Sequence, residues 1–298
     1  MLYRQIEQNK RKTVFLILLF SLLVLLVGWA VGYLVDGDYI FGIVLAAIVL
    51  VFYVPITYLS ATMQVLSMSG ATEIQKADNP MLFNIIEELS LAAHIPMPRV
   101  YMVDDPAPNA FATGIKPEKG AVAFTTGLLA KLNREELEGV VAHELSHIRN
   151  YDIRLMTICI ALVGVIAIIA DIGSRMLFYR SGRGNNRDNQ KGGNPVIMII
   201  ALVFIILAPL AAHFVQLAVS RNREYLADAS AVEFTRNPAG LKHALIKISH
   251  DTEQVQRAKD ATASMYFANP FSRDRKGKAS LFATHPSMES RIERLEQM

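Results

Sequence analysis

The chain has 298 residues, of which 52% are hydrophobic and only 19% charged, with a net charge of +3 and a single cysteine, Cys159. A soluble domain carries about 25% charged residues, so this chain lacks the polar surface that water demands, and a lone cysteine excludes a disulfide scaffold. The weak positive balance gives no argument for nucleic acid. The composition is that of a membrane protein.

Four runs, at 14–35, 39–59, 155–178 and 196–219, reach the roughly 20 apolar residues that a bilayer core requires. The first is longer than the apolar region of a signal peptide, about 7–15 residues, and reads as an uncleaved anchor. Arg4, Lys10, Arg11 and Lys12 precede it, whereas the turn at 36–38 has no base. The positive-inside rule then puts the N-terminus in the cytoplasm, makes the first two spans a tight hairpin and returns 60–154 to the cytoplasmic side. The segment between the last two runs carries Arg180, Arg183, Arg187 and Lys191 against Asp188. It would be external if both runs cross, against the rule, so full crossing and shallow burial both stay open.

Between the hairpins the pattern predicts a helix over 80–93 and short strands at 99–103, 109–114 and 121–126, bounded by Pro, Asp and Gly. Residues 117–120 read as a turn. A helix starts at Asn133, an N-cap with Glu136 three residues on. Further helices follow the fourth run to Asn237, start again at Pro238, and close the chain from Pro286. The expected division is a hairpin at 1–60, a polar part at 61–154, a second hairpin at 155–219 and a second polar part at 220–298.

Inside the capped helix stands His143-Glu144-Leu145-Ser146-His147. Residues four apart share a helix face, so both imidazoles can reach one ion. Glu144 lies about 100° round the helix, which suits a carboxylate that takes a proton from metal-bound water. A catalytic zinc needs a third protein ligand. The metzincin extension would place Gly and His where Asn150 and Ile153 stand, so the ligand comes from elsewhere. Glu224 and Asp228, again four apart, are the best candidates: Glu224 as ligand, Asp228 as acceptor of a ligating histidine's other N–H.

These motifs carry a resemblance. The HExxH helix, the later Arg223-Glu-Tyr-Leu-Ala-Asp, Asn-Ala-Phe-Ala-Thr-Gly at 109–114, Thr125-Thr-Gly-Leu-Leu and the closing Thr284-His285-Pro286-Ser287 with Arg291-Ile292 resemble the HtpX family of bacterial membrane zinc proteases, relatives of the CAAX prenyl protease. The resemblance implies an endopeptidase acting on misfolded or damaged membrane proteins, set in the plasma membrane with its site facing the cytosol. It makes His143, His147 and Glu224 the ligands of one Zn2+, Glu144 the base and Asp228 the outer partner. The family often has Pro where Ser287 stands.

The expected architecture is α+β, a mostly helical zincin domain with a small sheet, joined to a multi-span helical membrane domain. A channel or metal transporter is the competing reading, but its ligands would sit near the bilayer midplane, and these lie in polar segments beyond the apolar runs. Two further features stay open. Asn109, Ala110 and Phe111 read either as a sheet-edge strand that holds substrate through its backbone or as an internal strand. His285, biased to extended backbone by the following proline, reads as an oxyanion donor, as a fourth ligand that keeps the enzyme latent, or as a packing residue tied to Arg291.

Overall fold

The computed structural model describes residues 2–36, 38–162, 221–258, 262–271 and 286–298. The chain opens with two long helices, α1 (Leu2–Asp36) and α2 (Tyr39–Met68). Asp38 caps α2 by accepting from the N–H groups of Ile40 and Phe41, which stops one helix and starts the next within a few residues. The two pack where small residues meet: a Cβ on Gly32 would lie 2.9 Å from the Cα of Gly42. Such contact without side chains is how helices associate where no hydrophobic effect drives them together. Their outer faces carry exposed Phe15, Leu18, Leu22, Phe52, Ile56 and Leu59, a sheath that suits lipid and not water. Among the described residues, one helix, α2, is long and apolar enough by itself to cross a membrane. Both helices outrun their expected spans: α1 takes in the basic N-terminal segment, and α2 continues past Pro55 to Met68, into the polar part of the chain.

The sheet has four strands, β1 (Ala71–Glu73), β2 (Arg99–Val103), β3 (Ala110–Thr113) and β4 (Ala121–Thr125), in the order β1-β2-β4-β3. β2 and β4 are parallel, with Val100 opposite Val122, while β1 on β2 and β3 on β4 are antiparallel. All five residues of β4 are buried, so Ala121–Phe124 run apolar without alternation. The anticipated strands lie where the spacing put them, and the turn between β3 and β4 is a short 3-10 segment, Pro117–Lys119. Two elements carried no periodic signal and were not anticipated: the three-residue β1 and the single-turn-and-a-half helix α4 (Thr126–Lys131).

Helix α3 (Pro80–Ala92) starts from an Asn79 cap, and α5 (Arg134–Arg149) starts from a complete capping box between Asn133 and Glu136. α5 is the core of the molecule. Its Leu137, Val140, Val141 and Leu145 are fully buried against α3, the sheet and the C-terminal helices, each worth about 1.5–3 kcal/mol. Residues 152–162 are again helical. Beyond the undescribed part, α6 (Arg221–Thr235), α7 (Pro238–His250) and α8 (Met288–Leu295) complete the fold. α7 crosses α5 at Gly139, where a Cβ would stand 2.6 Å from the Leu241 nitrogen. Ser287, the position at which the resembling family often has Pro, caps α8 by accepting from the Ser290 N–H. The third and fourth apolar runs beyond 162, with their basic connecting loop, lie outside the described residues.

Candidate metal centre

α5 and α6 pack side by side and bring their histidines and acids together. The Nε2 atoms of His143 and His147 lie 3.1 Å apart. Glu224 faces both, its carboxylate oxygens 3.8 Å from His143 Nε2 and 3.7 Å from His147 Nε2. Donor atoms of these three residues all fall within 4.8 Å of one another, close enough to hold one metal ion. The donor set fits zinc: two imidazole nitrogens and a carboxylate leave a fourth position for water or substrate.

The far side of each imidazole is engaged by a carboxylate. His143 Nδ1 lies 2.9 Å from Asp228 Oδ1, and His147 Nδ1 lies 3.1 Å from Asp152 Oδ2. With Nδ1–H donating outward, the Nε2 lone pairs point at the shared position. Asp228 was anticipated from its spacing to Glu224. Asp152 was not, because it reaches back only through a sharp reversal. α5 ends at Asn150, and Tyr151 adopts a left-handed φ of 59°, a conformation that costs a bulky residue about 1–2 kcal/mol.

Asp228 is clamped from behind. Arg291 of α8 is fully buried and donates to both carboxylate oxygens, Nη2 to Oδ1 at 2.6 Å and Nε to Oδ2 at 2.9 Å, and to the Phe267 carbonyl at 3.3 Å. Phe267 in turn sets its ring edge-on to His143, with centroids 5.0 Å apart. The sequence marked Arg291 as part of a closing motif and as a candidate partner of His285, not of Asp228. A buried arginine on a short terminal helix has no local pattern that reveals its partner.

Burial and these partners set the charges. Burial, helped by the nearby guanidinium of Arg291, lowers His143 to about 4. Burial alone would lower His147 too, but its bond to Asp152 and the charges of Glu224 and Glu144 carry it up to about 9. Burial raises Glu144 to about 7, against the pull of His147 and of the Ala112 N–H that donates to it. For Asp228, burial is outweighed by Arg291 and His143, and its carboxyl is held below the usual range.

A cleft enclosing about 510 Å³, part of it open solvent, runs past this cluster. Glu144, Arg223, Ala112 and the segment from Ser264 to Phe267 line it. Arg223 Nη2 is buried and has no hydrogen-bond partner among the described residues.

β3 is at the sheet edge, yet Asn109, Ala110 and Phe111 do not present an open edge. The Asn109 side chain and the Ala268 backbone exchange two hydrogen bonds, Phe267 N–H donates to the Ala110 carbonyl, and Phe111 bridges to Tyr266. An unpaired edge would leave buried backbone groups unsatisfied, and the chain's own 266–268 segment satisfies them. His285 lies outside the described residues.

The model of peptidase family M48 matches residues 76–298. A Protease HtpX homolog of Listeria monocytogenes serotype 4a is 53% identical over 305 residues, and one of Streptococcus agalactiae serotype III is 52% identical over 298, both comparisons covering 100% of each chain. The crystal structure of S. mikatae Ste24p is similar in fold, with a TM-score of 0.51 at 19% identity, covering 99% of this chain and 67% of that one.

Proposed function

The chain belongs to peptidase family M48 and is a metallopeptidase, and from that premise we propose that it is a multi-span membrane endopeptidase that holds one zinc ion through His143, His147 and Glu224. The observation that carries this reading is the pair of imidazoles whose Nε2 atoms converge, each backed by a buried carboxylate, with Glu224 closing the third side. Zinc, when bound, acts as a Lewis acid on the scissile carbonyl and makes water acidic near neutral pH. Asp228 and Asp152 engage the Nδ1 side of each ring and so aim the imidazole Nε2 atoms at the shared position. Glu144, beside the ligands and raised to about 7, is suited to take a proton from the attacking water on its carboxylate and pass it to the leaving amine. The charge that develops on the carbonyl oxygen calls for a donor, and Arg223, which lines the cleft and whose buried Nη2 has no partner among the described residues, is suited to that role.

Substrates in this reading are misfolded or damaged membrane proteins, cleaved on the cytosolic side of the bacterial plasma membrane. The apolar sheath of α1 and α2 supports the membrane placement, and the basic residues before the first run support the orientation. Glu144→Gln keeps the shape and cannot take a proton. It should retain stoichiometric zinc in the detergent-purified protein and lose casein cleavage by roughly 100-fold or more. Cleavage near the wild-type rate by that variant removes Glu144 as the base, and zinc retained by His147→Ala removes the ligand set.

A further inference from the structure

Asn9 is an oddity of the first helix. It is 5% exposed, in a segment that the sequence presents as the basic lead-in to an apolar span. Its amide uses both donors and its acceptor. Nδ2 donates to Asp152 Oδ1 at 2.6 Å and to the Asn150 carbonyl at 3.3 Å, while Oδ1 accepts from Arg223 Nη1 at 3.3 Å. The two acceptors and the guanidinium fix which end of the amide is which. One turn on, Thr13 donates to the Asn9 carbonyl at 2.9 Å. These contacts join the end of α5, the first residue of the helix at 152–162 and the start of α6 next to Glu224. The other oxygen of Asp152 is the one that meets His147 Nδ1.

We infer that Asn9 is a positioning residue of the metal centre, acting through Asp152 on His147, so that the membrane hairpin is part of the site and not only its anchor. Asp152 has two oxygens and two tasks. If Oδ1 is not held, the carboxylate can rotate about its last bond, and the imidazole loses the fixed acceptor that sets its orientation. Outer partners of metal-bound histidines are worth 10–100-fold in metal affinity, and an amide one bond further out stands at the low end of that range. Through Arg223, the same side chain also restrains the residue next to Glu224, so one group from α1 braces two of the three ligands. The inference rests on the reading of His147 as a ligand.

The test is zinc affinity of the full-length chain in detergent, read by competition with a chromophoric chelator, beside the thermal midpoint of the metal-free protein. Asn9→Leu, close in volume and without a donor, should weaken zinc about tenfold. In an Asp152→Asn background the same change should cost clearly less, because the route through Asp152 is already altered and only the contact with Arg223 remains to be lost. If Asn9→Leu does not accumulate in membranes, Asn9→Asp keeps the shape, turns the donor into an acceptor facing Asp152, and should show the same loss. Unchanged affinity overturns the inference. So does an equal loss in both backgrounds, which would mark a general effect on folding. Zinc retained by His147→Ala would instead overturn the ligand reading on which the inference stands, and the two failures are told apart by that variant.

Discussion

Arg291→Met gives the sharpest test of how the site is held. The guanidinium is fully buried and bonds both oxygens of Asp228, which is itself 2% exposed. Removing the arginine leaves an ionised carboxylate in the interior with His143 as its remaining partner. Breaking a buried pair in this way costs about 3–5 kcal/mol. At roughly 2 °C per kcal/mol for a chain of this size, the thermal midpoint of the metal-free protein should fall by roughly 8 °C. Asp228→Asn should cost a similar amount for the mirror-image reason, an unpaired buried cation. The double variant, with neither charge, should then lose less than the two single losses together, with a coupling of about 2–3 kcal/mol. Arg291→Lys keeps the charge without the two-pronged geometry and should fall between wild type and Arg291→Met. The assay is thermal unfolding of wild type and the four variants in one detergent, metal-free, with zinc content measured separately. Strict additivity of the two single losses would refute the claim that this pair acts as one unit.

Two other expectations follow from the same geometry. His147 is carried up to about 9 in the metal-free protein, so at neutral pH its ring must give up a proton before Nε2 can hold a cation. Zinc uptake at pH 7 should release about one proton, and affinity should rise close to tenfold per pH unit between about pH 6 and 8, levelling off once the metal-free ring is neutral. A proton release near zero over that range would show that His147 is already neutral. For Arg223→Met, kcat should fall by about 100-fold with zinc still bound at one per chain, and an unchanged kcat would assign the oxyanion to another donor.

Much of the site was legible in the sequence because its chemistry is written at helical spacing. His143 and His147 share a face of α5 by the period of the helix alone, and Glu224 and Asp228 share a face of α6 for the same reason. The capping box at Asn133 and Glu136 and the strands at 99–103 and 121–125 likewise follow from neighbours within a few residues. What brought the two motif helices to one point was packing. Gly139 lets α7 approach α5, and the apolar face of α5 fills the core between the sheet and the C-terminal helices. Asp152, Arg291 and Asn9 were invisible as partners. Asp152 depends on a left-handed residue at Tyr151, and Arg291 and Asn9 meet the site from opposite ends of the chain. The covering of Asn109–Phe111 by residues 266–268 was hidden for the same reason: an edge strand and a covered strand have the same local sequence. Local periodicity therefore determined which side chains could be ligands and base. Contacts between segments far apart in the chain decided how those side chains are aimed, because an imidazole's orientation is set by the group behind it, and that group has no fixed distance along the chain.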